Sequence, residues 1–186
     1  MSKNITTHPI EIGGVKRNLR LFEVAPGVRI AILNILGDTE LVQAASRELA
    51  KKLAKLNYDV LVTAEAKSIP LAHALSVDTG KQYAVLRKSY KVYMGDALKS
   101  ETLSITTGQP QTLYLDEKDR DLVEGKRVII VDDVISTGST LAAMRQILTE
   151  AGAKVVAAAA VFTEGDPEKW HDVIALGNLP VWIEDN

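Results

Sequence analysis

Residues 128–140 read VIIVDDVISTGST: a run of aliphatics ends in two adjacent carboxylates, Asp132 and Asp133, and then in a turn rich in hydroxyls. Like charges at the end of a buried strand are costly unless they face a ligand or a partner. Carboxylates accept hydrogen bonds, so the pair suits the vicinal hydroxyls of a sugar, or water held on a divalent ion. The residues that follow have the opposite preference. Ser136, Thr137, Ser139 and Thr140 carry hydroxyls, Gly138 lets the backbone come close, and a helix is expected to begin near Ser139. The free amides and dipole of a helix's first turn favour an anion, such as a phosphate. Hydroxyls beside the acids and a phosphate in the loop together describe a ribose 5-phosphate. An Asp turn with an ordinary Ser/Thr helix cap is the plainer alternative. It accounts for one acid and the cap, not for the strand, doublet, hydroxyl loop and helix together.

Elements must hold these residues in place, and the apolar pattern supplies them. Strands are expected at 28–36, 58–65, 82–89, 112–116, 127–133 and 154–162, with a short last one in PVWIED. Leu41, Ala45, Leu49, Leu53 and Leu56 recur at helical spacing behind Asp38, a suitable cap. A second helix lies in SIPLAHALSVDTG, closed by Gly80, and a third runs from Ser139 to Gly152. Strands apolar on both faces and separated by helices predict an α/β fold, a mostly parallel sheet covered by helices on both sides. Residues 1–37, with a hairpin about Gly13-Gly14, are expected as a small N-terminal set of strands beside a core of residues 38–186. Ligands of such sheets bind beyond the carboxyl ends of the strands. Three junctions therefore matter: 64–68, 87–89 and 132–140. Lys67, Arg87 and Lys88 are cations there, suited to a pyrophosphate, and Glu65 is placed to orient a neighbouring cation or the backbone.

VIIVDDVISTGST resembles the phosphoribosyl-pyrophosphate motif of the type I phosphoribosyltransferases. The resemblance implies that Asp132 and Asp133 contact the ribose hydroxyls and that Ser136, Thr137, Gly138, Ser139 and Thr140 hold the 5'-phosphate. EAKS, residues Glu65, Ala66, Lys67 and Ser68, is similar to the adenine-type EARG junction, a pyrophosphate-binding loop where a strained peptide is typical; here Lys stands for Arg and Ser for Gly. LRKS resembles the family's Arg-Lys strand end. The polar segment 90–109 reads from its residues as a surface excursion paired as two short strands, and by resemblance as a flexible cover that excludes water, with Lys91, Lys99 and Glu101 as candidates within it. The implied activity is purine salvage: a purine ring nitrogen attacks C1 of phosphoribosyl pyrophosphate and diphosphate leaves. Asp132, Asp133, Lys67 and Glu101 form the expected catalytic set. Magnesium is expected mainly through the diphosphate, without a protein-built metal site, and a homodimer is expected by resemblance.

For the base, Phe162 offers a stacking ring, though it reads equally as a core residue, and Thr163 and Glu164 follow where 6-oxopurine members of the family place a lysine. A carboxylate suits an amino group, which tilts the expectation to adenine, with xanthine, hypoxanthine and guanine as alternatives. Residues 8–36 and Trp182 are the expected hood over the base. A regulator that binds phosphoribosyl pyrophosphate or a nucleotide without turnover is the rival class.

Composition narrows the field. The 186 residues carry a formal net charge of -2, which gives no support to nucleic-acid binding, and no cysteine, which excludes disulfides and thiolate chemistry. No basic and apolar leader opens the chain, and the run VVAAAAVF is too short to cross a bilayer, so a soluble, cytoplasmic protein without membrane partners is expected.

Overall fold

Strands with no polar face need cover on both sides, and the order of elements provides it. The computed structural model describes residues 6–103 and 110–183. The chain runs β1 (Thr7–Ile12), β2 (Val15–Ala25), β3 (Val28–Ala31), α1 (Thr39–Leu53), β4 (Val60–Ala64), α2 (Ile69–Thr79) and β5 (Gln82–Leu86). It continues through β6 (Leu98–Leu103), β7 (Pro110–Leu115), α3 (Arg120–Val123), β8 (Arg127–Ile135), α4 (Ser139–Glu150), β9 (Lys154–Glu164), β10 (Val173–Leu179) and β11 (Val181–Ile183). Five of the strands form a parallel sheet in the order β10-β9-β8-β4-β5. From β4 the chain steps to β5 at one edge. It then returns to β8 on the other side of β4 and moves outward to β9 and β10. The direction of winding reverses between β4 and β8, and the crevice beyond their carboxyl ends is where such sheets bind ligands.

The alternation of side chains along β8 divides the core. Ile129 and Val131 face the cluster that holds Leu49 and Leu53 of α1 and Leu71 and Leu75 of α2. Val128 and Ile130 face the one that holds Met144, Ile147 and Leu148 of α4. Each such aliphatic contributes about 1.5–3 kcal/mol when fully buried. Asp38 caps α1 as its position predicts, its carboxylate accepting from the Leu41 amide at 3.1 Å. Arg17 of β2 grips the same carboxylate through two bonds, at 2.7 and 2.8 Å, and so fastens the N-terminal sheet to the helix.

Four expectations are amended. The run 28–36 is not one strand: β3 stops at Ala31, and Leu33 and Ile35 turn into the core, 2% and 1% exposed. A short apolar run reads alike for a strand and for an irregular descent into a core. The small sheet has the order β1-β2-β3-β11, so residues 181–183 complete the expected hood from the far end of the chain. There Trp182 lies opposite Arg29, its ring edge-on to His8 at 5.2 Å. The polar segment 90–109 contains β6, paired antiparallel with β7; residues 104–109 of the expected cover lie outside the described residues. β10 was not expected as a strand, because VIALGNL contains Gly177 and Asn178, both poor strand formers. No described helix is long and apolar enough to cross a membrane.

Gly177 is explained by Phe162, whose ring lies on it; a Cβ at 177 would stand 2.9 and 3.1 Å from two ring carbons. Gly177→Ala is therefore expected to destabilise the fold by about 1–3 kcal/mol through overpacking. Thermal denaturation would show it as a lowered Tm, and an unchanged Tm would mean that β10 can shift away from β9.

Candidate active site at the carboxyl ends of the strands

The four neighbouring strands β5, β4, β8 and β9 end side by side, and each end is bonded to the next. At the first boundary Glu65 accepts from the Arg87 Nε, and its other oxygen accepts from the Lys88 amide at 2.5 Å. Burial pushes the Glu65 carboxyl up, but the Lys88 amide and the Arg87 guanidinium outweigh it and hold it below its ordinary range. The backbone of Arg87 exchanges hydrogen bonds with Tyr114 of β7, at 2.9 and 2.8 Å, while its Nη1 donates to the Tyr93 hydroxyl at 3.2 Å. Glu65 thus orients both a cation and the backbone, as its position suggested. The peptide between Glu65 and Ala66 is cis. Lys88 and Lys91 are exposed.

The second boundary, between β4 and β8, is the densest. Ser68 Oγ donates to Asp132 Oδ1 at 2.6 Å and accepts from the Asp133 amide at 3.0 Å. Lys67 places its ammonium 2.7 Å from Asp133 Oδ2, and Asp133 is only 6% exposed. Burial is the main force raising the Asp132 carboxyl, to about 6; the Asp133 charge raises it further and the Ser68 hydrogen bond opposes both.

At the third boundary the loop between β8 and α4 forms a depression of about 90 Å³ whose lining includes Asp132, Ser136, Thr137, Gly138 and Thr140. Gly138 gives α4 no side-chain cap; the Ser139 amide reaches Thr137 Oγ1 at 3.4 Å, and the amides that follow it in the first turn suit an anion. Gly138 has φ +85°, and a Cβ there would meet the Trp170 ring at 2.6 Å. Only glycine meets both requirements. Thr137 Oγ1 and Ser139 Oγ lie 2.8 Å apart, and Ser136 donates to Glu164 at the end of β9.

Several expected residues stand elsewhere. Glu101 pairs with Lys99 at 2.5 Å on the exposed face of β6, and its carbonyl accepts from Gln146, two turns along α4 from the loop. The structure does not bring it to the acidic pair. Phe162 is 6% exposed within the core cluster and packs on Gly177, so its ring is core rather than a free stacking face. Thr163 and Glu164 are buried and engaged, Thr163 accepting from Asn178 Nδ2 at 3.0 Å. Two residues were missed. Trp170 supports the loop and donates to the Glu164 carbonyl at 3.2 Å, and Lys169 donates to the Thr137 carbonyl at 3.3 Å. Both contacts cross from a later turn, and no local pattern announces them.

The raised Asp132 has a consequence for stability. Its contribution is fully present below the unfolded value near 3.9 and is lost as pH rises through about 6, because the ionised form is the disfavoured one. Asp132→Asn is therefore expected to melt higher than the wild type at pH 8, with the gain shrinking toward pH 5. Melting curves across that range check it, and a gain larger at pH 5 would refute the burial argument.

Comparison with known proteins agrees with this geometry. The model of the phosphoribosyl transferase domain matches residues 33–177. The hypoxanthine/guanine phosphoribosyltransferase of Methanosarcina mazei is 36% identical over 129 residues, 69% of this chain and 64% of that protein. That of Methanococcus voltae is 35% identical over 149 residues, 80% of this chain and 72% of its own length. The chain thus spans about two thirds of these curated relatives. Among solved structures, the adenine phosphoribosyltransferase of Thermoanaerobacter pseudethanolicus has a TM-score of 0.71 at 24% identity, covering 86% of this chain and 95% of its own. The APRTase of Giardia lamblia complexed with 9-deazaadenine gives 0.70 at 18%, covering 86% and 93%. At such identities the likeness is one of fold. By the match over residues 33–177 and the identity to its curated relatives, the chain belongs to the phosphoribosyltransferase family.

Proposed function

We propose that the chain transfers the phosphoribosyl group of phosphoribosyl pyrophosphate to a purine. The observation that carries this reading is one strand end that joins an acidic pair, the partly exposed Asp132 and the buried Asp133, to a hydroxyl-lined anion cradle. In the reaction a purine ring nitrogen forms a bond to C1 of the ribose. The bond from C1 to the diphosphate oxygen breaks, its electron pair leaving with diphosphate, and the proton of the attacking ring nitrogen passes to solvent. The transition state is cationic at the ribose, and the protein contributes mostly position and charge. Asp132 and Asp133 take the ribose hydroxyls, residues 136–140 take the 5'-phosphate, and Lys67 and Arg87 stand at the adjoining ends toward the leaving group. Magnesium fits as a partner of the diphosphate oxygens, where it would neutralise the leaving charge. The Lys67 ammonium on Asp133 Oδ2 does not suit a protein-built cage for a second cation.

For the base, hypoxanthine or guanine is the first reading. The relatives at 35–36% identity carry that name, and Glu164, the carboxylate suited to an amino group, is already engaged by Ser136. Adenine is the second reading. It is favoured by the EAKS junction and by Thr163, Glu164 and Gly165 standing where a lysine would read a 6-oxo group.

The test incubates the protein with phosphoribosyl pyrophosphate, magnesium and each of adenine, hypoxanthine, guanine and xanthine, reading nucleotide formed. Turnover of hypoxanthine or guanine is expected, and turnover of adenine alone would establish the second reading. Silence throughout, with ribose 5-phosphate still bound, would replace the enzyme by a binding regulator. In the active case Asp132→Asn combined with Asp133→Asn should lower kcat/KM by roughly 100-fold or more, since two hydrogen bonds to charged groups are lost.

A further inference from the structure

The adenine-type junction has glycine where this chain has Ser68, so the hydroxyl is not a feature of that motif. Ser68 is 2% exposed and stands at the N-cap of α2, yet it caps nothing there. It turns to β8 instead. Its single proton goes to Asp132 Oδ1 at 2.6 Å, the shorter of its two carboxylate contacts; Asp133 Oδ1 is at 3.2 Å. Its lone pair accepts from the Asp133 amide at 3.0 Å. That amide also lies 2.9 Å from Asp132 Oδ1. Donors from inside the protein therefore occupy Oδ1, and among the described residues none bonds Oδ2. The last torsion of an aspartate is broad when nothing holds it. Here two donors hold one oxygen and so fix the carboxylate plane and the direction of the other.

We propose that Ser68 is a positioning residue: it fixes the Asp132 carboxylate so that Oδ2 meets a ribose hydroxyl, and thereby lets the diphosphate-side junction set the affinity for ribose. The inference rests on the phosphoribosyl-transfer reading and deepens it. Only Asp132 takes the Ser68 proton at short range, the Asp133 amide keeps Asp132 Oδ1 as an acceptor, and Lys67 and Arg87 keep their own partners when the hydroxyl is removed. Its removal should therefore weaken the ribose end of the site and spare the diphosphate end.

Calorimetry with ribose 5-phosphate and, separately, with magnesium diphosphate tests this on the wild type, Ser68→Ala, Asp132→Asn and the double variant. Ser68→Ala should weaken ribose 5-phosphate about tenfold, the effect of one hydrogen bond to a charged group, and leave diphosphate within about twofold. In the Asp132→Asn background the same change should have no further effect. Unchanged ribose 5-phosphate affinity in Ser68→Ala would overturn the proposal. Equal weakening of both ligands would also overturn it, making Ser68 a loop support. A full tenfold loss in the Asp132→Asn background would do the same, by showing that Ser68 acts elsewhere. A wild type that binds no ribose 5-phosphate would take the phosphoribosyl-transfer reading down as well. A wild type that binds it, loses it in Asp132→Asn and keeps it in Ser68→Ala would sink this proposal alone.

Discussion

Two carboxylates at the end of a buried strand must find donors, and most of this site follows from how they find them. Asp133 takes an ammonium from the neighbouring junction, and Asp132 takes a hydroxyl and a backbone amide. The two acids and Lys67 leave one net negative charge in a poorly solvated place, which is why Asp132 is hard to ionise. Such a pair welcomes a ligand that brings hydroxyl donors and rejects one that brings an anion. The anion is accommodated a few residues on, at the uncapped start of α4. Opposite preferences thus sit within a single loop, which is what an anionic sugar phosphate requires.

The parallel sheet makes these contacts possible. Strands that neighbour one another in a parallel sheet end at the same side, so residues far apart in sequence share one rim. Ser68 and Asp132 are 64 positions apart, Glu65 and Arg87 22, and Ser136 and Glu164 28, yet each pair is bonded across one strand boundary. The rim is a chain of bonded side chains rather than a set of independent loops. A change at one junction is passed to its neighbour by a named hydrogen bond, which is the physical content of calling the rim one site.

How much of this the sequence revealed depends on how local the cause is. The strand end, the acidic doublet, the loop and the start of the helix behind it lie within 13 consecutive residues, and their chemistry was legible in order. The cap at Asp38 and the alternation in β8 are equally local. β10 was not legible, because Gly177 is there for the Phe162 ring and a tertiary fit overrides strand propensity. Phe162 itself reads as a stacking ring or as core from sequence alone, and only the sheet beside it decides for core. Glu101 looked useful because a polar segment has many candidate side chains; its pairing with Lys99 follows from β6, the paired-strand alternative for that segment.

The same distinction between local and distant causes separates the two halves of the proposed reaction. The ribose phosphate is met by one continuous strand, loop and helix, completed by the single junction at 65–68. The side toward β9 is assembled from remote pieces: Glu164, the turn that carries Lys169 and Trp170, and a small sheet made from both ends of the described chain. On the proposed function that sheet is the hood over the base, so a substitution in it can change what meets the base without touching Asp132 or the anion cradle. The Arg17 grip on Asp38 ties the sheet to α1 rather than to the rim. On the proposed function, this architecture lets base preference change while phosphoribosyl binding stays fixed. It also explains why the strand, doublet and loop name the chemistry more readily than any residue here names the base.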